Sequence, residues 1–227
     1  MLPTPIVPNP DYNLVYEPAE DSFLFLDLFE QLHNEEYFTK TTPSKKFSTV
    51  LEIGTGTGII STFISTNKLI PNAYHIASDI NLNALQTTKN TFENTRTTKD
   101  AYLDTIRCNL TDPFRLNEID VLIFNPPYVP SESIPLVPSI QDDTNDDWLD
   151  LALVGGTDGM MITNKVLDSL DSTLSVNGEA YILFCARNNH SKVVTEFLKS
   201  HINFKVENVI ARKCGWEELA IYRFIRQ

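Results

Sequence analysis

The strongest constraint on the fold of this chain is an alternation of short apolar segments with segments of helical apolar spacing. The helical spacing is seen, for example, at Ile59–Ile64 and at Val193–Leu198. Because such alternation is typical of a doubly wound parallel sheet, we predict an α/β fold with a seven-stranded, mostly parallel sheet. The predicted strands are Thr49–Ile53, Tyr74–Asp79, Leu103–Arg107, Ile119–Phe124, Glu179–Cys185, Asn203–Arg212 and Glu218–Ile225.

The last two of these strands are expected to form a hairpin. The link between Asn203–Arg212 and Glu218–Ile225 is too short for a crossover helix, so the final strand should run antiparallel to its neighbours. The helix before the fifth strand is expected to end near Gly178. A length of 227 residues suits a single domain, divided into an N-terminal arm and helix (1–48) and a core (49–227).

The charge balance limits the partners of the protein. The chain has 30 acidic residues against 18 Lys and Arg, a net charge of -12, whereas gripping duplex nucleic acid unaided needs a basic face. The first basic residue is Lys40, and no apolar run reaches the roughly 18 residues of a membrane span. Three widely spaced cysteines argue against a disulfide framework and a zinc site. We therefore expect no membrane contact, no metal site and a cytoplasmic location, with the nucleus left open.

A glycine-rich turn follows the first strand and precedes the next helix. Gly54 and Gly56 stand in this turn, where an open parallel sheet binds nucleotide-like ligands, although such turns also occur for structural reasons. Glu52, just before the turn, would repel a pyrophosphate but could hold an ammonium group. Asp79 ends the second strand and could accept hydrogen bonds from a ribose, or cap the following helix. A ligand that has a ribose, a positively charged amino-acid end and no phosphate is S-adenosylmethionine. A nicotinamide dinucleotide fits these residues less well, and an oxidoreductase is therefore the weaker alternative.

A second motif, Asn125-Pro126-Pro127-Tyr128, directly follows the apolar strand Val121–Phe124. A planar NH₂ group is a poor nucleophile, and methylating it requires acceptors for both N–H groups. The Asn125 side-chain oxygen and the Pro126 carbonyl can serve as those acceptors, and Tyr128 can lie against a planar substrate. Proline fixes the backbone and removes an N–H, which keeps this turn stiff. The motif therefore predicts methyl transfer to an amide or an aromatic NH₂ group.

One long segment, residues 130–157, has no clear period. It places five aspartates around Trp148, and a segment of this kind is either a solvated surface or a contact for a basic partner. The aspartates are Asp142, Asp143, Asp146, Asp147 and Asp150.

These motifs together resemble the HemK-type class I methyltransferases, which have a Rossmann-like fold and modify glutamine side chains in translation release factors. The resemblance is closest to the eukaryotic branch, in which this kind of chain is the catalytic subunit of the release factor glutamine N5-methyltransferase. It spans nearly the whole chain. The segments that carry it are Tyr16–Phe23, Glu52–Gly58, Phe124–Pro130, Trp148–Leu153, Gly155–Gly159 and Ile182–Asn188.

The resemblance implies roles for individual residues. Asn125, Pro126, Pro127 and Tyr128 are expected to bind the substrate amide, with Asn125, Pro126 and Tyr128 as the catalytic residues. The expected contacts to S-adenosylmethionine are Ser22, Glu52, Gly54, Gly56, Asp79, Asn109, Leu110 and Asn125. The family usually has an acid at the position of Asn109, so the adenine amino group would here meet an uncharged acceptor.

The resemblance also implies partners. The family works as a heterodimer with a small zinc-binding activator subunit, for which the plausible edge strand is Leu103–Arg107. The implied substrate is the glutamine of the Gly-Gly-Gln motif in the class 1 release factor. Adenine N6-methylation of nucleic acid stays as an alternative, because the Asn-Pro-Pro-Tyr motif serves both kinds of NH₂ group, and a non-catalytic scaffold is a further one.

Overall fold

The computed structural model describes residues 1–41, 47–138 and 147–227. Within these ranges no helix is long and apolar enough to cross a membrane. The helices are α1 (Glu20–Asn34), α2 (Tyr37–Thr41), α3 (Ile59–Thr66), α4 (Leu82–Thr95), α5 (Asp147–Leu153), α6 (Met161–Thr173), the 3₁₀ turn Ala186–Asn188, and α7 (His190–Ser200). The strands are β1 (Ser48–Ile53), β2 (Ala73–Asp79), β3 (Leu103–Arg107), β4 (Ile119–Phe124), β5 (Val129–Pro130), β6 (Val154–Gly156), β7 (Leu174–Cys185), β8 (Phe204–Cys214) and β9 (Glu217–Arg226).

Seven strands form one sheet in the order β3-β2-β1-β4-β7-β9-β8. The contacts from β3 to β7 are parallel, and β9 runs antiparallel to both β7 and β8. The prediction of a seven-stranded, mostly parallel sheet that ends in a hairpin is therefore confirmed. The sheet order reverses between β1 and β4, which is where such folds form a ligand-binding crevice.

Helices cover both faces of the sheet. Phe25 and Phe29 of α1 pack with Phe63 of α3 on one face, and Leu170 of α6 packs with Phe197 of α7 on the other. Every residue of β4 is buried, because this central strand is covered on both sides. The carboxyl ends of β1 and β4 are thus held in a rigid frame directly below the two motifs.

The helix before β7 is shorter than the sequence predicts. It ends at Thr173 and not near Gly178, because the chain already pairs with β4 through Leu174 and Ile119. The Cβ of any larger residue at Gly178 would lie 2.9 Å from the Ile119 carbonyl oxygen. The glycine therefore permits close contact between two strands and does not end a helix.

The segment from 130 to 157 is less irregular than the sequence predicts. It contains α5, and β6 pairs with β5 directly after the Asn-Pro-Pro-Tyr motif. Asp142, Asp143 and Asp146 lie outside the described residues, whereas Asp147 and Asp150 are exposed on α5.

The N-terminal arm is tied to the core at several points. The Leu2 amide donates to Glu30 at 2.9 Å, and the Asn81 side chain donates to the Leu14 carbonyl at 2.7 Å. These bonds bring the end of the arm, Leu14–Tyr16, next to the carboxyl end of β2.

Candidate active site

A cavity of about 650 Å³ lies at the carboxyl ends of β1, β2 and β4. All residues that the sequence analysis assigned to cofactor or substrate line this single cavity. They are Ser22, Glu52, Gly54, Gly56, Asp79, Asn109, Leu110, Asn125, Pro126, Pro127 and Tyr128. Segments that are far apart in the sequence therefore meet at one site, as expected for the carboxyl edge of a parallel sheet.

The glycine turn is packed on one side and open on the other. Gly58 has a φ of +73°, and a Cβ there would lie 2.6 Å from the Thr88 methyl group, so only glycine lets α3 approach α4 this closely. A Cβ on Gly56, in contrast, would meet no atom within 4 Å in the described structure. This open backbone gives a ligand room to lie directly against the turn.

Glu52 is a buried carboxylate, only 2% exposed, at the end of β1. Its Oε2 accepts hydrogen bonds from the Thr55 hydroxyl at 3.0 Å, from the Ser61 amide at 3.1 Å and from the Ser61 hydroxyl. Burial raises the pKa of Glu52 to about 7, although these hydrogen bonds act in the opposite direction. All three donors are uncharged, so a cationic ligand would be the first positive charge beside Glu52 and would favour its ionised form.

Asp79 holds the glycine turn from the end of β2. Its carboxylate accepts from the Gly56 amide at 3.0 Å and from the Asn81 amide at 2.9 Å, and burial raises its pKa. The N-cap of α4 is Asn81, whose side chain accepts from the Asn83 amide at 2.9 Å. Capping α4 is thus the role of Asn81, and Asp79 faces the cavity as a hydrogen-bond acceptor.

Asn125 carries an unsatisfied acceptor. Its Oδ1 atom is buried, and among the described residues it has no hydrogen-bond donor. Leaving a buried acceptor unpaired costs about 1–3 kcal/mol, so such an atom in a cavity wall indicates a donor supplied by a ligand. Tyr128, three residues further, is half-buried and its hydroxyl lies 3.4 Å from Glu217 Oε2.

The backbone of the Asn-Pro-Pro-Tyr motif is supported from behind by residues whose role the sequence analysis did not identify. The Asn188 side chain donates to the Tyr128 carbonyl at 3.1 Å and to the Asp158 carbonyl at 3.0 Å. A Cβ on Gly159 would lie 2.1 Å from the Tyr128 carbonyl oxygen, and one on Gly155 would lie 2.3 Å from the Pro127 oxygen. The segments that carry the family resemblance here therefore act as a backing for the substrate turn.

Three further cavity residues come from outside the predicted set. Burial and the nearby carboxylate of Asp21 raise the pKa of Tyr16 to about 12; Asp21 is 3% exposed, and both residues line the cavity. Trp148 is 2% exposed and also lines the cavity, with the Arg107 guanidinium 5.9 Å from its ring. The interpretation of the segment around Trp148 as solvated surface or partner contact is therefore wrong for Trp148 itself, because its indole is packed inside the site.

Comparisons with known proteins agree with this geometry. A family model described as "Methyltransferase small domain" matches residues 35–137. The eRF1 methyltransferase catalytic subunit mtq2 of Schizosaccharomyces pombe is 36% identical, over all of this chain and 96% of that protein. The chain belongs to the HemK-type methyltransferases.

Other comparisons extend this result. The human methyltransferase HEMK2 is 26% identical over 93% of this chain and 90% of its own length. Among solved structures, the E. cuniculi Mtq2-Trm112 complex matches with a TM-score of 0.62 and 21% identity, covering 94% of this chain and 99% of that one. At this identity the structural match shows the fold. The sequence-based predictions of a HemK-type family member, of the fold and of a methyltransferase are thus confirmed.

Proposed function

We propose that this HemK-type enzyme transfers a methyl group from S-adenosylmethionine to the side-chain amide nitrogen of a glutamine, that of the Gly-Gly-Gln motif in the class 1 release factor. The single observation that carries the proposal is the buried, unpaired Oδ1 of Asn125 in the wall of the cavity. A primary amide offers the N–H donor that this acceptor lacks. The relatives named as an eRF1 methyltransferase and as HEMK2 support the same substrate class.

The cavity fits the methyl donor. Bound S-adenosylmethionine supplies an activated methyl group on a positively charged sulfur. Asp79 offers acceptors for ribose hydroxyls, and Glu52 offers a carboxylate to the amino-acid end. Asn109 Nδ2 donates to Asp112 at 3.1 Å, which leaves Asn109 Oδ1 available as an acceptor for the adenine amino group. Ser22, Gly54, Gly56 and Leu110 complete the wall around these polar groups.

The Asn-Pro-Pro-Tyr residues position the amide. Asn125 Oδ1 and the Pro126 carbonyl each accept one N–H, so the nitrogen is held with its lone pair toward the methyl group. Tyr128 packs against the planar amide and restricts its rotation. These three residues act by orientation, which alone can contribute several kcal/mol to a barrier, so no strong base is required.

Nucleic acid fits this site less well. The carboxylates of Asp21, Glu52 and Asp79 line the cavity, and the chain carries a net charge of -12. A phosphate backbone that approached these groups would be repelled, whereas a neutral polypeptide would not. The Asn-Pro-Pro-Tyr motif is therefore compatible with adenine methylation. The negative charge of the chain and the names of its relatives both favour a protein substrate.

A small partner subunit completes the enzyme. The proposed docking strand, β3, lies at the edge of the sheet, and an uncovered edge presents unpaired backbone groups. Tyr102, next to this strand, is 66% exposed. The solved structure of Mtq2 with Trm112 supports a heterodimer of this kind, and we expect the subunit to bind zinc as its family implies.

Methyl transfer with labelled S-adenosylmethionine tests the function. The chain, co-expressed with its small subunit, is incubated with release factor, with the same factor carrying Gln→Asn in its Gly-Gly-Gln motif, and with DNA. We expect label only on the unaltered factor, and its loss in Asn125→Ala while the fold is kept. Label on DNA alone, or equal label on both factors, would overturn the proposal.

A further inference from the structure

A second cavity, of about 370 Å³, opens beside the methyl-donor cavity. Three residues line both of them: Tyr16, Asp21 and Tyr128. The two spaces are therefore neighbours, and Tyr128 is the residue of the substrate motif that lines both. A substrate amide cannot reach Asn125 through the space that the methyl donor occupies, so it must enter by another route. The second cavity, which adjoins the first at Tyr128, offers such a route.

The walls of the second cavity are the start of α1 and the tip of the β8–β9 hairpin, and they are fastened to each other. Arg212 in β8 forms ion pairs with Glu20 at 3.7 Å and with Asp27, both in α1. Glu217 in β9 approaches the Tyr128 hydroxyl at 3.4 Å. The cavity is thus a defined groove whose two sides keep their spacing.

The polar groups of the groove suit a polypeptide backbone. Glu20, Asp21 and Glu217 offer acceptors for backbone N–H groups, and Arg212 and Lys213 offer donors for backbone carbonyls. A phosphodiester chain has only acceptors along its backbone and would meet three carboxylates at close range. The mixed lining therefore favours an extended peptide.

Trp216 marks the outer end of this groove. It stands between Gly215 and Glu217, which both line the cavity, and its indole is 97% exposed. A single exposed aromatic residue on a surface needs no explanation by itself, but tryptophan is, with tyrosine and arginine, among the residues enriched at the energetic centres of protein interfaces. Here it lies next to a groove that leads to the active site.

We propose that the groove between the start of α1 and the tip of the β8–β9 hairpin binds the polypeptide backbone adjacent to the substrate glutamine, with Trp216 as its outer contact. This inference rests on the proposed function, because it names how the protein substrate of that site is held. It predicts that the groove residues affect the binding of the substrate protein and leave the binding of the methyl donor unchanged.

Two variants test the groove in the full chain co-expressed with its small subunit. Glu217→Arg reverses a charge inside the groove, and Trp216→Ala removes the outer contact. We expect KM for the release factor to rise by about 10-fold in each, and the Kd of S-adenosylmethionine to change less than twofold. The matched controls Glu118→Arg and Leu116→Ala alter exposed residues ahead of β4, at the opposite end of the sheet, and should leave both constants unchanged.

A cross-linking experiment keeps the proposal testable if a variant folds poorly. With p-benzoylphenylalanine at position 216, we expect cross-links to release factor residues next to the glutamine. Unchanged KM in both variants, or cross-links only to distant parts of the factor, would overturn the groove while label transfer to the glutamine still upheld the function. A wild-type enzyme that does not label the glutamine would overturn both.

Discussion

The side-chain amide of Asn188 donates a hydrogen bond to the carbonyl oxygen of Tyr128 across 3.1 Å. The same side chain donates to the Asp158 carbonyl, and its oxygen accepts from the Cys185 amide at 3.0 Å. One buried asparagine, in the 3₁₀ turn that follows β7, therefore connects the substrate turn, the Gly155–Gly159 segment behind it and the sheet. Tyr128 lines the cavity and Asn188 does not, so in the proposed mechanism Asn188 would act on the substrate only by positioning the Tyr128 backbone.

Asn188→Asp is the sharpest test of this connection. Aspartate keeps the acceptor for Cys185 but cannot donate to Tyr128 or Asp158, and it places a charge beside their carbonyl oxygens. Since small displacements of positioning groups cost up to about 100-fold in rate, we expect kcat to fall by about 10- to 100-fold with an unchanged Kd for S-adenosylmethionine. The exposed Asn90→Asp serves as the control, and an Asn188→Asp enzyme with wild-type kcat would contradict the role.

Two glycines with similar positive φ values allow the cost of backbone strain in an alanine variant to be measured apart from the cost of crowding. Gly159 and Gly215 have φ values of +67° and +59°, but a Cβ on Gly159 would lie 2.1 Å from the Tyr128 oxygen, whereas one on Gly215 would meet no atom of the described residues within 4 Å. We expect Gly215→Ala to lower the free energy of unfolding by about 1 kcal/mol. Gly159→Ala should lower the free energy of unfolding, measured by urea denaturation, by several kcal/mol more, because the backbone at Tyr128 must move. Equal losses in the two variants would show that crowding at Tyr128 is unimportant.

Glu52 should link stability to pH in the cofactor-free enzyme. Its pKa in the folded protein is raised from 4.5 to about 7, so the folded state holds a proton that the unfolded state has released between these values. Stability therefore falls as pH rises from 4.5 to 7, by up to about 3 kcal/mol. Glu52→Gln should remove this fall and raise the melting temperature at pH 8, while weakening the binding of S-adenosylmethionine. A variant that is no more stable than wild type at pH 8 would argue against a buried charge, and the exposed Glu118→Gln is the control.

His75 should change the pH dependence of stability in the opposite direction to Glu52, over much of the same pH range. It is buried in β2, its Nδ1 has no partner within the described ranges, and burial lowers its pKa from 6.5 to about 4. The unfolded chain thus binds a proton that the folded chain does not, and stability falls as pH drops from 6.5 to 4, by up to about 3 kcal/mol. We expect His75→Leu to flatten the acid limb of the stability profile, whereas the exposed His33→Leu should not. Because Glu52 and His75 oppose each other, the single variants are needed to see either effect.

The parts of this protein that could be predicted from the sequence are those set by local pattern. Leu103–Arg107 and Ile119–Phe124 were predicted with the bounds that the structure has, because each is a short segment between turn signals, and the second is largely apolar. The glycine turn and the Asn-Pro-Pro-Tyr motif were placed at the site because each follows such a strand.

What could not be predicted depends on contacts between distant segments. Trp148 sits among aspartates in the sequence, and nothing local shows that its ring turns into the cavity beside Arg107. Asn188 reaches a carbonyl 60 residues away, and Tyr16 reaches the site through an arm without regular structure. The early start of β7 at Leu174 likewise follows from its pairing with Ile119 and overrides the helical spacing before it.

Asn109 offers a way to tighten cofactor binding. The family usually has an acid at this position, and hydrogen bonds to a charged acceptor are about twice as strong as neutral ones. Asn109→Asp alone would set a carboxylate against Asp112, because Asn109 Nδ2 donates to Asp112 at 3.1 Å. In the double variant Asn109→Asp, Asp112→Asn the pair keeps its hydrogen bond with the donor and acceptor exchanged, and one oxygen of the new carboxylate stays available for the adenine amino group. We expect its Kd for S-adenosylmethionine to fall by about 10-fold, and Asp112→Asn alone to bring no gain. Titration calorimetry with all three variants measures this, and a double variant that binds no tighter than wild type would mean that residue 109 does not contact the adenine.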